Sequence, residues 1–99
     1  MGWTLMAGRQ RVARLEQVGV DMPWFLCTFD PDVAFPDVEP LFTEQERAIE
    51  AEGWDAAEWV WQEMFARLKL VPDDSAEGTI PEFVIRLDGN QARLRYERP

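Results

Sequence analysis

The sequence predicts an α+β fold: an antiparallel β-sheet of about five strands, in the order β-β-β-α-α-β-β, with two helices packed on one face. Three observations predict it. Runs of β-branched and aromatic residues, punctuated by Gly8, Gly19 and Pro23, fill the chain up to Phe29. Two stretches of helical periodicity, separated by Gly53, fill its middle, and an alternating pair of segments around Asp88-Gly89 closes it. The 99 residues suit a single globular domain, 1–99. At this size a chain buries roughly two-thirds of its unfolded surface without needing disulfides or metal.

Trp3 to Met6 and Arg11 to Val18 read as strands joined through Ala7-Gly8-Arg9-Gln10, where Gly8 supplies the turn conformation. Val12, Leu15 and Val18 also fit a helical spacing, but Gly19 and Pro23 bracket the segment and favour strand. Trp24 to Phe29 is apolar on both faces, with Trp24 and Leu26 on one and Phe25, Cys27 and Phe29 on the other, the pattern of a central strand. Asp30 to Pro40 is a connector biased toward extended backbone by Pro31, Pro36 and Pro40; its Val33, Phe35 and Val38 are expected to lie along the body.

Thr43 and Glu46 form a capping-box pattern for the first helix, and Gly53 is placed to end it. Asp55 and Glu58 repeat that logic for the second helix, expected to run to about Lys69 before Pro72 stops it. At the helical period of roughly 100° per residue, Trp54, Ala57, Trp61, Met64, Phe65 and Leu68 share one face and Trp59 points the opposite way, near Ala66. Pro72 to Pro81 reads as a polar, mobile loop. In the final hairpin Phe83, Ile85 and Leu87 face Ala92, Leu94 and Tyr96, in the same core as Trp61, Met64 and Leu68. Two registers keep that parity. A loop at Asp88-Gly89 sets Arg86 opposite Gln91 and avoids the Arg86–Arg93 pairing of a loop at Gly89-Asn90, so charge selects Asp88-Gly89.

Charge is distributed unevenly. Asp30, Asp32, Asp37, Glu39, Glu44, Glu46, Glu50, Glu52, Asp55 and Glu58 stand against Arg47 alone, and this stretch accounts for the whole net charge of −9. Such a field governs steering and partner choice, and it favours a basic protein surface over a phosphate backbone. Arg9, Arg11 and Arg14, and Arg93, Arg95 and Arg98, form local basic groups too small to reverse that preference. A single cysteine, no basic-then-apolar leader and no apolar run of ~18 residues lead us to expect a soluble, cytoplasmic protein with no membrane association, and nine arginines against one lysine, Lys69, suggest a GC-rich, bacterial-type origin.

The chain has no histidine, which removes Ser-His and Cys-His pairs and His-ligated zinc as usually built. Cys27, between Leu26 and Thr28, reads as a buried apolar thiol and not a nucleophile. Only threonines, Ser75 and carboxylates remain for catalysis, and carboxylate pairs by spacing alone mean little among 19 acids. Asp30-x-Asp32 with Asp37-x-Glu39 has the look of a hard-cation site, but the EF-hand pattern fails at Phe35 and Leu41, so solvated acids are favoured. No glycine-rich phosphate loop is present. No cofactor and no enzyme activity are expected.

The expectation that remains is a small acidic non-enzymatic interaction module that binds a basic protein surface, in a regulatory, immunity-like or nucleic-acid-mimicking role. Its partner site would centre on Trp59, flanked by Glu52, Asp55, Glu58 and Glu63, because tryptophan is enriched at binding hot spots. A covered Trp59, under the connector or the 72–81 loop, is the favoured structural reading and competes with it. The alternative function is a small-molecule site between sheet and helices, lined by Trp24, Trp54, Trp61 and Met64, with Arg86, Arg93 or Arg95 holding an anionic group.

Overall fold

A computed structural model of the chain describes residues 1–74 and 78–97. Six strands, β1 (Gly2–Ala7), β2 (Gln10–Asp21), β3 (Trp24–Pro31), β4 (Lys69–Pro72), β5 (Val84–Asp88) and β6 (Gln91–Arg95), pair antiparallel throughout. Their order is β4-β1-β2-β3-β6-β5, and the sheet curls beneath two helices, α1 (Glu39–Glu52) and α2 (Glu58–Arg67). The predicted α+β class holds, with one strand more than expected.

Alternation builds the sheet where the sequence showed it. Gly8 at φ 61° closes the β1–β2 hairpin with Ala7 opposite Gln10. The near-helical spacing of Val12, Leu15 and Val18 has a local cause: the β1 pairing skips Val12 and the β3 pairing skips Val18, so each is the extra residue of a β-bulge. Val12 is consequently buried beside Ala13 on the core side, while Val18 is 66% exposed. β3 lies between β2 and β6, central as predicted. In the connector, Phe35 and Val38 pack into the core through a 3₁₀ turn at Phe35–Asp37, with Phe35 set edge to face against Phe29 and tilted against Phe42; Val33 instead points to solvent.

The expected starts of both helices are corrected. α1 begins at Glu39, not Thr43: Pro40 sits in the first turn, where its missing N–H costs nothing, and the N-cap is Val38 without a side-chain hydrogen bond. Thr43 is thus interior to the helix, and Glu46, its expected capping partner, binds Arg86 instead. Asp55 lies in a 3₁₀ turn, Trp54–Ala57, and α2 starts after Ala57 without a side-chain cap. Gly53, at φ 99°, does end α1 and donates its N–H to the Ile49 carbonyl.

The second helix stops at Arg67 because Leu68 turns to extended backbone, and Lys69–Pro72 forms the unpredicted sixth strand along β1. Leu70 is fully buried opposite Leu5, and Pro72 is tolerated because β4 is an edge strand. The expected 72–81 loop therefore starts inside a strand, and Ile80 returns to exchange backbone hydrogen bonds with Leu70 at 2.8 and 3.2 Å. Part of that loop, with Ser75, and Arg98 fall outside the described residues.

The hairpin takes the register that charge had rejected. Arg86 lies opposite Arg93 and Asp88 opposite Gln91, leaving Gly89-Asn90 as the loop with Gly89 at φ 60°. Carboxylates from elsewhere remove the penalty: Arg86 pairs with Glu46 of α1 at 2.6 Å and Arg93 with Asp21 at 3.1 Å. The apolar parity is unaffected. Phe83, Ile85 and Leu94 are buried and Tyr96 is packed against the same core that holds Trp61, Met64 and Leu68.

Candidate interaction surface

α2 is oriented by its apolar stripe. Val60, Trp61, Met64 and Leu68 are buried, so Trp59, one residue from Val60 and two from Trp61, is turned outward. It is 57% exposed. The connector and the described part of the 72–81 loop leave it uncovered, which corrects the expectation that one of them would shield it. Asp55 precedes Trp59 by about one turn and Glu63 follows it by one, with Glu58 adjacent; all are exposed, as are Gln62 and Ala66 beside them. Glu52, also exposed, is the last residue of α1, just before Gly53.

The charge field is only partly neutralised. Three of its acids are in ion pairs: Asp32 with Arg11, Glu44 with Arg47, and Glu46 with Arg86. Backbone N–H donation from Val33 and the Arg11 guanidinium hold the Asp32 carboxyl below its ordinary range, and Arg47 does the same for Glu44. Among the described residues, Glu52, Asp55, Glu58 and Glu63 make no salt bridge. The predicted set is thus a solvent-facing indole with Glu58 and Glu63 on its own helix, Asp55 in the preceding turn and Glu52 at the end of α1, none of them in a salt bridge among the described residues.

Behind this surface lies an aromatic assembly. Trp54 is 4.8 Å from Trp61 and 6.1 Å, edge-on, from Trp24, between ring centroids. Trp61 is anchored by Gln45, whose Oε1 accepts its indole N–H at 2.8 Å. The Gln45 amide in turn donates to the Ile85 carbonyl at 2.9 Å and to Glu46 at 3.0 Å, so a fully buried glutamine ties both helices to the edge strand β5. Sequence reasoning missed Gln45, although a signal existed: it interrupts the Phe42, Gln45, Ala48 stripe that α1 buries. The predicted aromatic pocket is only partly assembled. Trp24, Trp54 and Trp61 do meet, whereas Met64 is sealed in the core, and Arg86 and Arg93 are occupied by Glu46 and Asp21. Arg95 alone of the three candidates lies against the tryptophans, 5.5 Å from Trp24 and 5.9 Å from Trp54.

Cys27 is buried, and burial pushes its thiol up to about 11, so it stays protonated and unreactive at neutral pH. No three His, Cys, Asp or Glu side chains gather into a metal-sized group among the described residues. No helix of the described residues is long and apolar enough to cross a membrane. Comparison with protein-family models, with curated proteins and with solved structures finds no match.

Proposed function

We propose that this protein is a small acidic, non-enzymatic interaction module that binds a basic protein surface through the outer side of its two helices. Trp59 is the anchor and Glu52, Asp55, Glu58 and Glu63 are the charged flank. The observation that carries this reading is an indole 57% exposed, with neighbouring acids that make no ion pair among the described residues. An aromatic anchor ringed by charge is a common hot-spot arrangement, and long-range attraction of a basic partner speeds encounter more than it deepens affinity. Regulation or inhibition of that partner, including occupation of its nucleic-acid-binding surface by carboxylates standing in for phosphates, is the role such a surface serves.

The test uses the whole chain as bait in its native extract at low and at moderate salt, beside Trp59→Ala and Glu58→Lys. A basic protein retained by the native chain, released by salt and lost with Trp59→Ala supports the reading. Identical retention by native and Trp59→Ala baits contradicts it.

A further inference from the structure

Three arginines project from one side of the β5–β6 hairpin: Arg86 and Arg93 face each other across the ladder, and Arg95 is two residues beyond Arg93. The first two are neutralised by Glu46 and Asp21. Arg95 is treated differently. It makes no salt bridge or hydrogen bond among the described residues, and its guanidinium carbon lies 5.5 Å from the Trp24 ring and 5.9 Å from the Trp54 ring. Trp24 and Trp54 are themselves set edge to face, 82° apart. Indoles stabilise a guanidinium through its face and leave its N–H donors, which lie in the plane, unspent; a carboxylate partner uses those donors up.

Arg95 also borders an open groove of about 660 Å³ whose accessible apolar walls include Phe65, Pro81 and Tyr96, with the buried Phe83 beneath them. Glu82 and Glu97 line the same groove and are exposed. We infer that Arg95, held by Trp24 and Trp54, is an anchor for a small amphipathic monocarboxylate whose apolar body lies along the groove between Phe65 and Tyr96. Each part of that description has a cause. A guanidinium presents parallel N–H donors that match a carboxylate in bidentate fashion. The groove volume is within the range of small-molecule sites, and its walls suit an aromatic or aliphatic body. Glu82 and Glu97 repel any negative charge in the groove, so a carboxylate is held only where it meets the Arg95 donors directly, and further negative charge on the ligand is disfavoured. The site draws Trp54 and Phe65 from the same segment as the Trp59 surface but uses neither Trp59 nor its flanking acids, and it stands whether or not that surface binds a partner.

The probe is 2-naphthoate, titrated into the isotopically labelled full chain while the Arg95 Nε–H and the tryptophan indole N–H resonances are followed. Inorganic phosphate and acetate test the anion without the body, and 2-naphthalenemethanol tests the body without the charge. Saturable shifts at Arg95, Trp24 and Trp54 are expected with naphthoate, and binding should weaken about tenfold or more in Arg95→Gln, the scale of a charge-assisted hydrogen bond. Trp59→Ala should bind naphthoate as the native chain does. If Arg95→Gln loses its dispersed spectrum, Arg95→Lys replaces it, keeping the charge without the fork, and weaker binding is again expected. Equal binding of naphthoate and the neutral alcohol, native-like binding by a folded Arg95 variant, or the absence of any saturable shift overturns the inference.

Discussion

Gln45 illustrates how much one buried polar residue can carry. All of its amide hydrogen bonds are internal, to Trp61, Ile85 and Glu46, and none of its surface reaches water. Gln45→Leu keeps the volume but leaves the Trp61 indole N–H and the Ile85 carbonyl without that partner, so unfolding in urea should show a loss of about 2 kcal/mol, the usual cost of an unsatisfied buried group. A glutamine on a helix is ordinarily a surface residue, and only its place on the Phe42–Ala48 stripe distinguished it in the sequence. Trp59 was legible in direction and not in environment: periodicity turned it away from the core, but whether distant chain covered it depended on loop paths that no local pattern encodes. Being exposed, Trp59→Ala should leave the melting temperature almost unchanged, as surface substitutions generally do. A large drop would show that the indole serves the fold. Cys27, by contrast, should resist iodoacetamide at pH 8 in the native chain and react promptly once denatured.

The elements divide by the range of the information that specifies them. β1, β3 and the C-terminal hairpin announce themselves through alternation and turn glycines, and α2 through its stripe. β4 did not, because four residues offer too few alternations and because its stabilising partner, β1, is far away in sequence, with Trp3 paired to Pro72 and Met6 to Lys69. The β2 bulges at Val12 and Val18 distort the two-residue period toward a helical one, which is why that segment read both ways. The hairpin register failed for a related reason. Cross-strand repulsion between Arg86 and Arg93 is a local rule, and it is overridden by Glu46 and Asp21 from outside the hairpin. Glu46→Ala should therefore destabilise the fold by about 1 kcal/mol, an amount discounted for the partial exposure of the pair. The loss should shrink as sodium chloride rises, since screening weakens the arginine repulsion left behind. A loss that grows with salt would show that this pair does not offset the like charges. In the shared core, Leu68→Ala should cost about 2–5 kcal/mol, because Leu68 is fully buried where α2 meets the sheet.

Across the whole molecule, composition made the charge asymmetry plain, while the pairing of those charges needed the fold. Asp30, Asp37, Glu39, Glu50, Glu52, Asp55 and Glu58 make no salt bridge among the described residues, so at neutral pH their repulsion opposes the compact state. Moderate salt should raise the melting temperature of the native chain. Asp32, Glu44 and Asp73 act oppositely. Hydrogen bonds from Val33 and Arg11, from Arg47 and from Arg14 lower these carboxyls below their ordinary values of 3.8, 4.5 and 3.8. A carboxyl lowered by folding lends stability that is present above its unfolded value and is lost as pH falls through its folded one. Asp73→Asn should accordingly flatten the acid limb of a stability–pH profile below about 4, and an unchanged limb would show that the Arg14 contact does not persist in solution. The metal and nucleophile readings drew on residue types and spacing alone, and spacing cannot report which acids the fold brings together. The central claim is that the helical face around Trp59 is where a basic partner docks. Its most direct test is the hydrogen-exchange footprint of the chain bound to the partner that the native bait retains. Slowed exchange over residues 52–66 is the predicted result, with no change at the β2–β3 turn, where Val20 and Met22 form another exposed apolar surface. Protection confined to that turn, with 52–66 exchanging as in the free chain, would contradict it.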